Sequence, residues 1–231
     1  INSEISDTAV DVFIYDTSKD SDGGAWRKRT TNTSWYNETL GTATRGSRKE
    51  FPAVAVIVAT SSKVIIYDGD DPDMPMWMEF ISTSGQYGAI FNGRSPVSVV
   101  AKNGEISVAD SVDSVVHWNF IADTIKSTAS SGSWNSYRNI KGRNPSDSTN
   151  LWTNYDNGRT IVGYPLNDLA VTVLLNAPID DTTGLPVPTI AVATDGGVSV
   201  IKDDGTVVDI NRTADDDVHH VDLDGDRVIM F

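Results

Sequence analysis

VIIYDGDDPDMPMW, residues Val64 to Trp77, decides the reading of the fold. It opens as a strand, leaves through a Tyr-Asp pair, turns through a run of acids and ends on a tryptophan. VFIYDTSKDSDGGAW, Val12 to Trp26, lines up with it feature for feature. A third copy, ISVADSVDSVVHW (Ile106 to Trp118), keeps Asp110 and Trp118 around a shorter turn. A fourth, VSVIKDDGTVVDI (Val198 to Ile210), keeps the strand and the acidic turn and puts Ile210 near the tryptophan position. The copies start at 12, 64, 106 and 198, so the spacings are 52, 42 and 92 residues. The last is about twice a repeat period of ~40 to 50 residues.

Working outward, the same texture continues. Runs rich in Val, Ile, Thr and aromatics recur at Val54 to Thr60, Lys63 to Tyr67, Val97 to Ala101, Leu169 to Leu175 and Thr189 to Thr194, with almost no helical periodicity. Lys102-Asn103-Gly104 and Asp195-Gly196-Gly197 separate such runs as tight turns, because Asn and Gly tolerate positive φ. The chain therefore reads as all-β. A repeat of hairpins buries its sheets only by stacking on its neighbours, and a radial stack meets that need. The expectation is one β-propeller domain over residues 1 to 231, of about five blades, one of them degenerate between Trp134 and Asn176. The strands at Val12 to Tyr15, Val64 to Tyr67, Ile106 to Ala109 and Val198 to Ile201 should then be equivalent, and Trp26, Trp77 and Trp118 should be buried. The ring should close by pairing Val10 to Tyr15 with a C-terminal hairpin around Asp224-Gly225.

Two polar stretches interrupt the pattern as long inserted connections, at about 30 to 50 and 127 to 156. Long connections in compact folds are usually functional, which makes them the places to look for contacts. The first carries Trp35, Tyr36, Arg45, Arg48 and Lys49, aromatics beside local positive charge, and these five are the candidate partner-binding residues. The second carries Trp134, Tyr137, Trp152 and Tyr155.

Composition limits the partners. Lys plus Arg number 18 against 32 Asp plus Glu, a formal net charge of -14, which repels phosphate backbones and argues against nucleic acid. The chain has no cysteine, so disulfides, thiolate zinc sites and cysteine nucleophiles are excluded. No apolar run approaches the ~20 residues that span a bilayer, and no membrane association is expected. The first residues, Ile1-Asn2-Ser3, and the strand-like end at Val228 to Phe231 suggest a piece of a longer chain.

No cofactor is expected, with calcium as the one exception the acidic loops could supply. Asp68, Asp70, Asp71 and Asp73 are the candidate ligands, since calcium takes six to eight oxygens, although Asp is equally a favoured turn residue. Asp16 to Gly24 and Asp222 to Asp226 are acidic in the same way. The loop at Ser18 to Trp26 resembles, out of register by one residue, the Asp-box turn of sialidase-type propellers, which is a structural element. His219 and His220 are adjacent and face opposite sides of a strand, so they do not chelate one metal. With no phosphate loop, nucleophile elbow or metalloprotease motif, the chain reads as no enzyme.

TSWYNETLGTATRGSRKEFPAVAVIVA (Thr33 to Ala59), followed by VIIYDGDDPDMPMW, resembles a segment of virion structural proteins of marine tailed bacteriophages. The resemblance covers roughly the first 80 residues. It implies a propeller scaffold in a tail, nozzle or fibre, located in the virion, homo-oligomeric within a symmetric assembly and docked to other virion proteins, with no catalytic residue. The alternative is an extracellular carbohydrate-binding or carbohydrate-cleaving propeller with a glycan as partner.

Overall fold

The computed structural model describes residues 8–82, 93–136, 138–146, 152–156, 160–211 and 217–231. Sheet 1 is a four-stranded antiparallel meander of β1 (Ala9–Asp16), β2 (Val54–Thr60), β3 (Lys63–Asp68) and β4 (Met76–Ile81). Sheet 2 has six strands, β5 (Pro96–Lys102), β6 (Glu105–Asp110), β7 (Ser114–Asn119), β8 (Thr124–Ala129), β9 (Gly132–Ser136) and β10 (Trp152–Asp156), in that spatial order. Sheet 3 contains β11 (Leu166–Thr172), β12 (Thr189–Thr194), β13 (Gly197–Ile201) and β14 (Val207–Ile210). The hairpin of β15 (Val221–Asp224) and β16 (Arg227–Met230) ends the series.

Each unit starts from an inner strand and steps outward, and the inner strands neighbour one another in chain order: β1 beside β5, β5 beside β11, β11 beside β15. Burial follows from that stacking. β3, β6 and β12 are buried along almost their whole length, and in β3 and β12 this shows as apolar runs with little alternation, while β6 buries Ser107 and Asp110 among its apolar residues. β1 instead alternates half-buried and exposed residues, because only one of its faces meets a neighbouring sheet. The Lys102–Glu105 hairpin turns through Asn103 at φ 51° and Gly104 at φ 75°, the positive pair that a two-residue turn matched to strand twist requires.

The expected equivalence of the four copies is corrected. Val12 to Tyr15 lies in the first strand of sheet 1 and Val64 to Tyr67 in the third strand of the same sheet. Ile106 to Ala109 is the second strand of sheet 2, and Val198 to Ile201 the third of sheet 3. A strand, a polar turn and a tryptophan recur within one meander as readily as between meanders, so the pattern counted strands. Three sheets and a hairpin replace the expected five units among the described residues. Ring closure is corrected too: β1 pairs with β2, Val12 opposite Val58 and Tyr15 opposite Ala55, and not with residues 218–231. The hairpin around Asp224-Gly225 does form.

Trp26, Trp77 and Trp118 are buried as expected, at 0%, 1% and 0% exposure. They belong to one core between sheets 1 and 2, where Phe51 sits 4.9 Å from both Trp77 and Phe120 and Trp118 stacks on Phe80 at 3.8 Å. The stretch 127 to 156 is not one long connection: it holds the end of β8, all of β9, and β10, joined through the short 3-10 turn Ile140–Gly142. Its polar Ser and Asn content masked strands that lie toward the edge of a sheet. Tyr137 lies outside the described residues, as does the side chain of Tyr155.

Candidate functional site

The five residues expected to bind a partner divide into two groups. Trp35 is fully buried and donates its indole N–H to the Phe120 carbonyl at 2.8 Å. Arg45 is 1% exposed, lies over the Trp77 ring at 4.4 Å, donates to the Trp77 and Lys49 carbonyls and pairs with Glu38 at 2.8 Å. Burial pulls its guanidinium below the ordinary value, with Glu38 opposing that effect. Glu38 also holds Arg143 at 2.8 Å, and Arg143 donates to the Glu79 and Thr44 carbonyls. The first connection therefore folds down on β4, and the segment after β9 locks it there. Gly46 passes so close to β4 that a Cβ would stand 2.1 Å from the Met76 carbonyl oxygen, so only glycine fits.

Neither Trp35 nor Arg45 can reach a partner, and the aromatic-plus-basic pattern in this stretch chiefly marks internal packing. Tyr36 and Lys49 remain accessible: the Tyr36 hydroxyl donates to Glu50 at 3.2 Å and the Lys49 ammonium lies 5.2 Å from the Tyr36 ring. Arg48, the fifth, is spent on the candidate calcium loop. One of its nitrogens lies 2.7 Å from both Asp68 Oδ1 and Asp70 Oδ2. Asp70 also accepts the Ala53 and Val54 N–H groups at 2.8 and 2.9 Å, and these bonds with Arg48 outweigh burial and hold its carboxyl below the ordinary range. The position a cation would take between Asp68 and Asp70 is filled by a guanidinium. Asp71 and Asp73 are exposed, and Asp71 caps the turn by accepting the Asp73 N–H.

A groove of about 850 Å³ opens among the inner strands, lined by Phe13 to Asp16 of β1, Val100 to Lys102 of β5, Leu169 to Leu175, and Val221 and Asp222 of β15. Its walls are mainly aliphatic. Asp20, at its edge, is committed: it accepts the Tyr15 hydroxyl, the Trp26 indole N–H at 2.8 Å and the Asn103 N–H at 2.8 Å. Burial, followed by the Asp20 charge, keeps the Tyr15 phenol well above its ordinary pKa.

Sequence reasoning missed what joins the inner strands. Asp11 of β1 accepts the Val99 N–H of β5 at 2.7 Å; Ser98 of β5 accepts the Leu169 N–H of β11 at 3.1 Å; Asp168 of β11 accepts the Val221 N–H of β15 at 3.1 Å. Ser98 further donates to Asp168 at 3.0 Å. Each acceptor directly follows a shift in strand register, at Ala9/Asp11, Pro96/Ser98 and Leu166/Asp168, where a bulge turns a polar side chain toward the next sheet. A single polar residue inside an apolar run, as in Val10-Asp11-Val12 and Val97-Ser98-Val99, is the only signal the sequence carried.

No family model matches the chain, and no curated protein sequence is similar to it. Similar solved structures include two of BBS1N in complex with ARL6DN, soaked with lead and with mercury, each 12% identical over 73% of this chain, with TM-scores of 0.28 and 0.29. Another is the extracellular domain of BT4673 from B. thetaiotaomicron, 13% identical over 72% of this chain with a TM-score of 0.27. The chain spans 52% and 53% of the two BBS1N chains and 22% of the third. Scores this low assign neither fold nor function.

One constellation imitates a catalytic array. His117 Nδ1 lies 2.9 Å from Ser107 Oγ and 3.6 Å from Glu105 Oε1. A serine triad places nucleophile and carboxylate on opposite ring nitrogens, whereas here both meet the same one, and Ser107 is 3% exposed. The group is a buried polar contact.

Proposed function

We propose that the chain is an arc of a β-propeller serving as a non-enzymatic scaffold in a phage virion, docking neighbouring virion proteins. The stitched inner strands carry this reading. Three successive side-chain-to-backbone bonds tie β1 to β5, β5 to β11 and β11 to β15 around one groove, which supports reading the sheets as blades about an axis. The non-enzymatic part is supported by the use already made of its polar groups: Asp20, Asp68, Asp70 and His117 are all engaged inside the protein. The virion setting draws on the resemblance of the first 80 or so residues.

The test is to locate the chain in its native assembly. An antibody against it should decorate tails or fibres of intact particles, and reconstruction of those particles should show it in contact with other structural proteins. Recovery of the chain only outside particles overturns the virion setting. Turnover of a glycoside, abolished by one Asp or Glu substitution, overturns the scaffold role.

A further inference from the structure

One face of sheet 2 changes character along its length. Ala109 and Val115 pack it against sheet 3. Further along the same strands it presents two polar rows, Glu105–Asn119–Thr124 and Ser107–His117–Lys126, each in register across β6, β7 and β8. Ile106, Trp118 and Ile125, between these rows, point the other way into the aromatic core, as alternation along a strand requires. Over the rows lies a recess of about 240 Å³, roofed by the excursion between β11 and β12. The roof is held in place: the Asp180 N–H donates to the Leu185 carbonyl at 2.9 Å, the Val187 N–H to the Pro178 carbonyl at 2.9 Å, and the Asn103 amide to the Pro186 carbonyl at 2.8 Å. Leu185 is buried in the core and anchors it. Pro186, Val187 and Pro188 give the recess an apolar wall, and Asp180 and Thr182 a polar edge. Among the described residues, the Lys126 ammonium and the Thr124 and Thr182 hydroxyls have no partner within the protein.

We propose that this recess binds one neutral sugar ring, free or at the end of a glycan. Its volume lies below the roughly 300 to 1,000 Å³ of pockets that enclose drug-sized molecules, which suits a single ring. Its lining sets two carboxylates, Glu105 and Asp180, against one ammonium, Lys126, with no guanidinium among the described residues, so a phosphate or carboxylate ligand is repelled. An apolar ligand would cover the polar rows without pairing them. A sugar hydroxyl both donates and accepts, so Glu105 takes a hydrogen from one, Lys126 gives a hydrogen to another, and Thr124 and Thr182 serve in either sense. Glu105 and Lys126 stand two strands apart and two positions along, roughly 12 Å between α-carbons. Acceptor and donor therefore occupy opposite corners of the floor. Hydroxyls around the rim of a ring match that spacing, whereas an α-amino acid carries both charges on one carbon. The wall of Pro186, Val187 and Pro188 takes the C–H face of the ring. His117, with its nitrogens engaged by Ser107 and Thr128, serves as floor. The inference does not depend on the virion setting.

Saturation-transfer NMR on the purified chain with millimolar glucose, galactose, mannose and N-acetylglucosamine should show transfer to at least one of them. The chain has 3 histidines. His117 lines the recess and His219 and His220 do not, so the His117 ring signal should move on titration while the other two stay. Glu105→Gln and Lys126→Met should each weaken binding on the order of tenfold, the loss of one hydrogen bond to a charged group. Both variants should keep the parent's melting temperature, because both side chains reach solvent and glutamine can still accept from the Asn119 amide. The methyl glycosides of the sugars that bind separate the two sources: retained binding marks the end of a glycan, and lost binding marks the free reducing sugar. Transfer to none of the sugars, or binding that both variants leave unchanged, overturns the proposal and leaves the scaffold reading standing. Binding of glycine or alanine in place of the sugars, lost in the same variants, overturns it in favour of an amino acid.

Discussion

Asp168 on β11 accepts the backbone N–H of Val221 on β15 at 3.1 Å, and this bond ties the last hairpin to the rest of the molecule. Val221 is buried, so its N–H has no recourse to water if that acceptor is lost. Asp168→Ala also strands the Ser98 hydroxyl. The expected cost is about 1 to 3 kcal/mol. It should appear first as faster amide exchange across residues 218–231, ahead of any change in sheet 1. Uniform acceleration throughout the chain would show that the bond does not act as a local stitch.

Replacing Trp77 or Trp118 by alanine should cost about 3 to 5 kcal/mol, since each is a fully enclosed aromatic whose removal leaves a cavity. Trp118 stacks nearly parallel on Phe80, with 5° between the ring planes, so Trp118→Phe should recover part of the loss. A denaturant midpoint within error of the parent for Trp118→Ala would contradict the packing described.

The aromatic core was legible because large apolar side chains announce burial by type. All-β class and hairpin turns were legible for a similar reason: Asn103-Gly104 and Asp224-Gly225 are short-range signals that need no knowledge of the rest of the chain. Strand equivalence was not. Val12 to Tyr15 and Val64 to Tyr67 look alike because both are apolar strands leaving through Tyr-Asp, yet two strands separate in one meander share that look. The residues that do mark equivalent places, Asp11, Ser98 and Asp168, are not of one type and bond backbone N–H groups 88, 71 and 53 positions away. Arg45 misled in the opposite direction: a charged residue beside aromatics suggests a surface contact, but Glu38 and five backbone carbonyls around the two guanidinium groups of Arg45 and Arg143 make an interior site for it.

Arg48 and the Asp68–Asp70 pair give a prediction about metal. With a guanidinium bridging the two carboxylates, millimolar calcium or a chelator should leave the thermal midpoint of the parent protein unchanged. Arg48→Met leaves two facing carboxylates without their cation and should destabilise the protein by about 1 kcal/mol, the pair being partly exposed. A calcium-dependent rise in the parent midpoint would mean that Arg48 gives way to the ion.

His117 predicts how stability depends on pH. Burial pushes its imidazole below the ordinary value of about 6.5, with Glu105 opposing and Lys126 assisting. Ser107 and Thr128 complete its surroundings, and both can bond a neutral ring. The folded state therefore prefers neutral histidine, while the unfolded chain takes up a proton near 6.5. Between the depressed folded value and 6.5 the unfolded state binds more protons, so stability rises with pH across that window. The contribution is fully present above about 6.5 and is lost as pH falls toward the folded value. Most carboxylates titrate lower, at about 4, but burial raises the pKa of Asp110, so the share due to His117 is read as the difference between the parent and a His117 variant. Denaturant titrations at pH 7.5 and 5.2 should show a loss of stability in the parent that is much reduced in His117→Gln, a neutral side chain that can still bond Ser107. An equal loss in both proteins would place the pH response elsewhere.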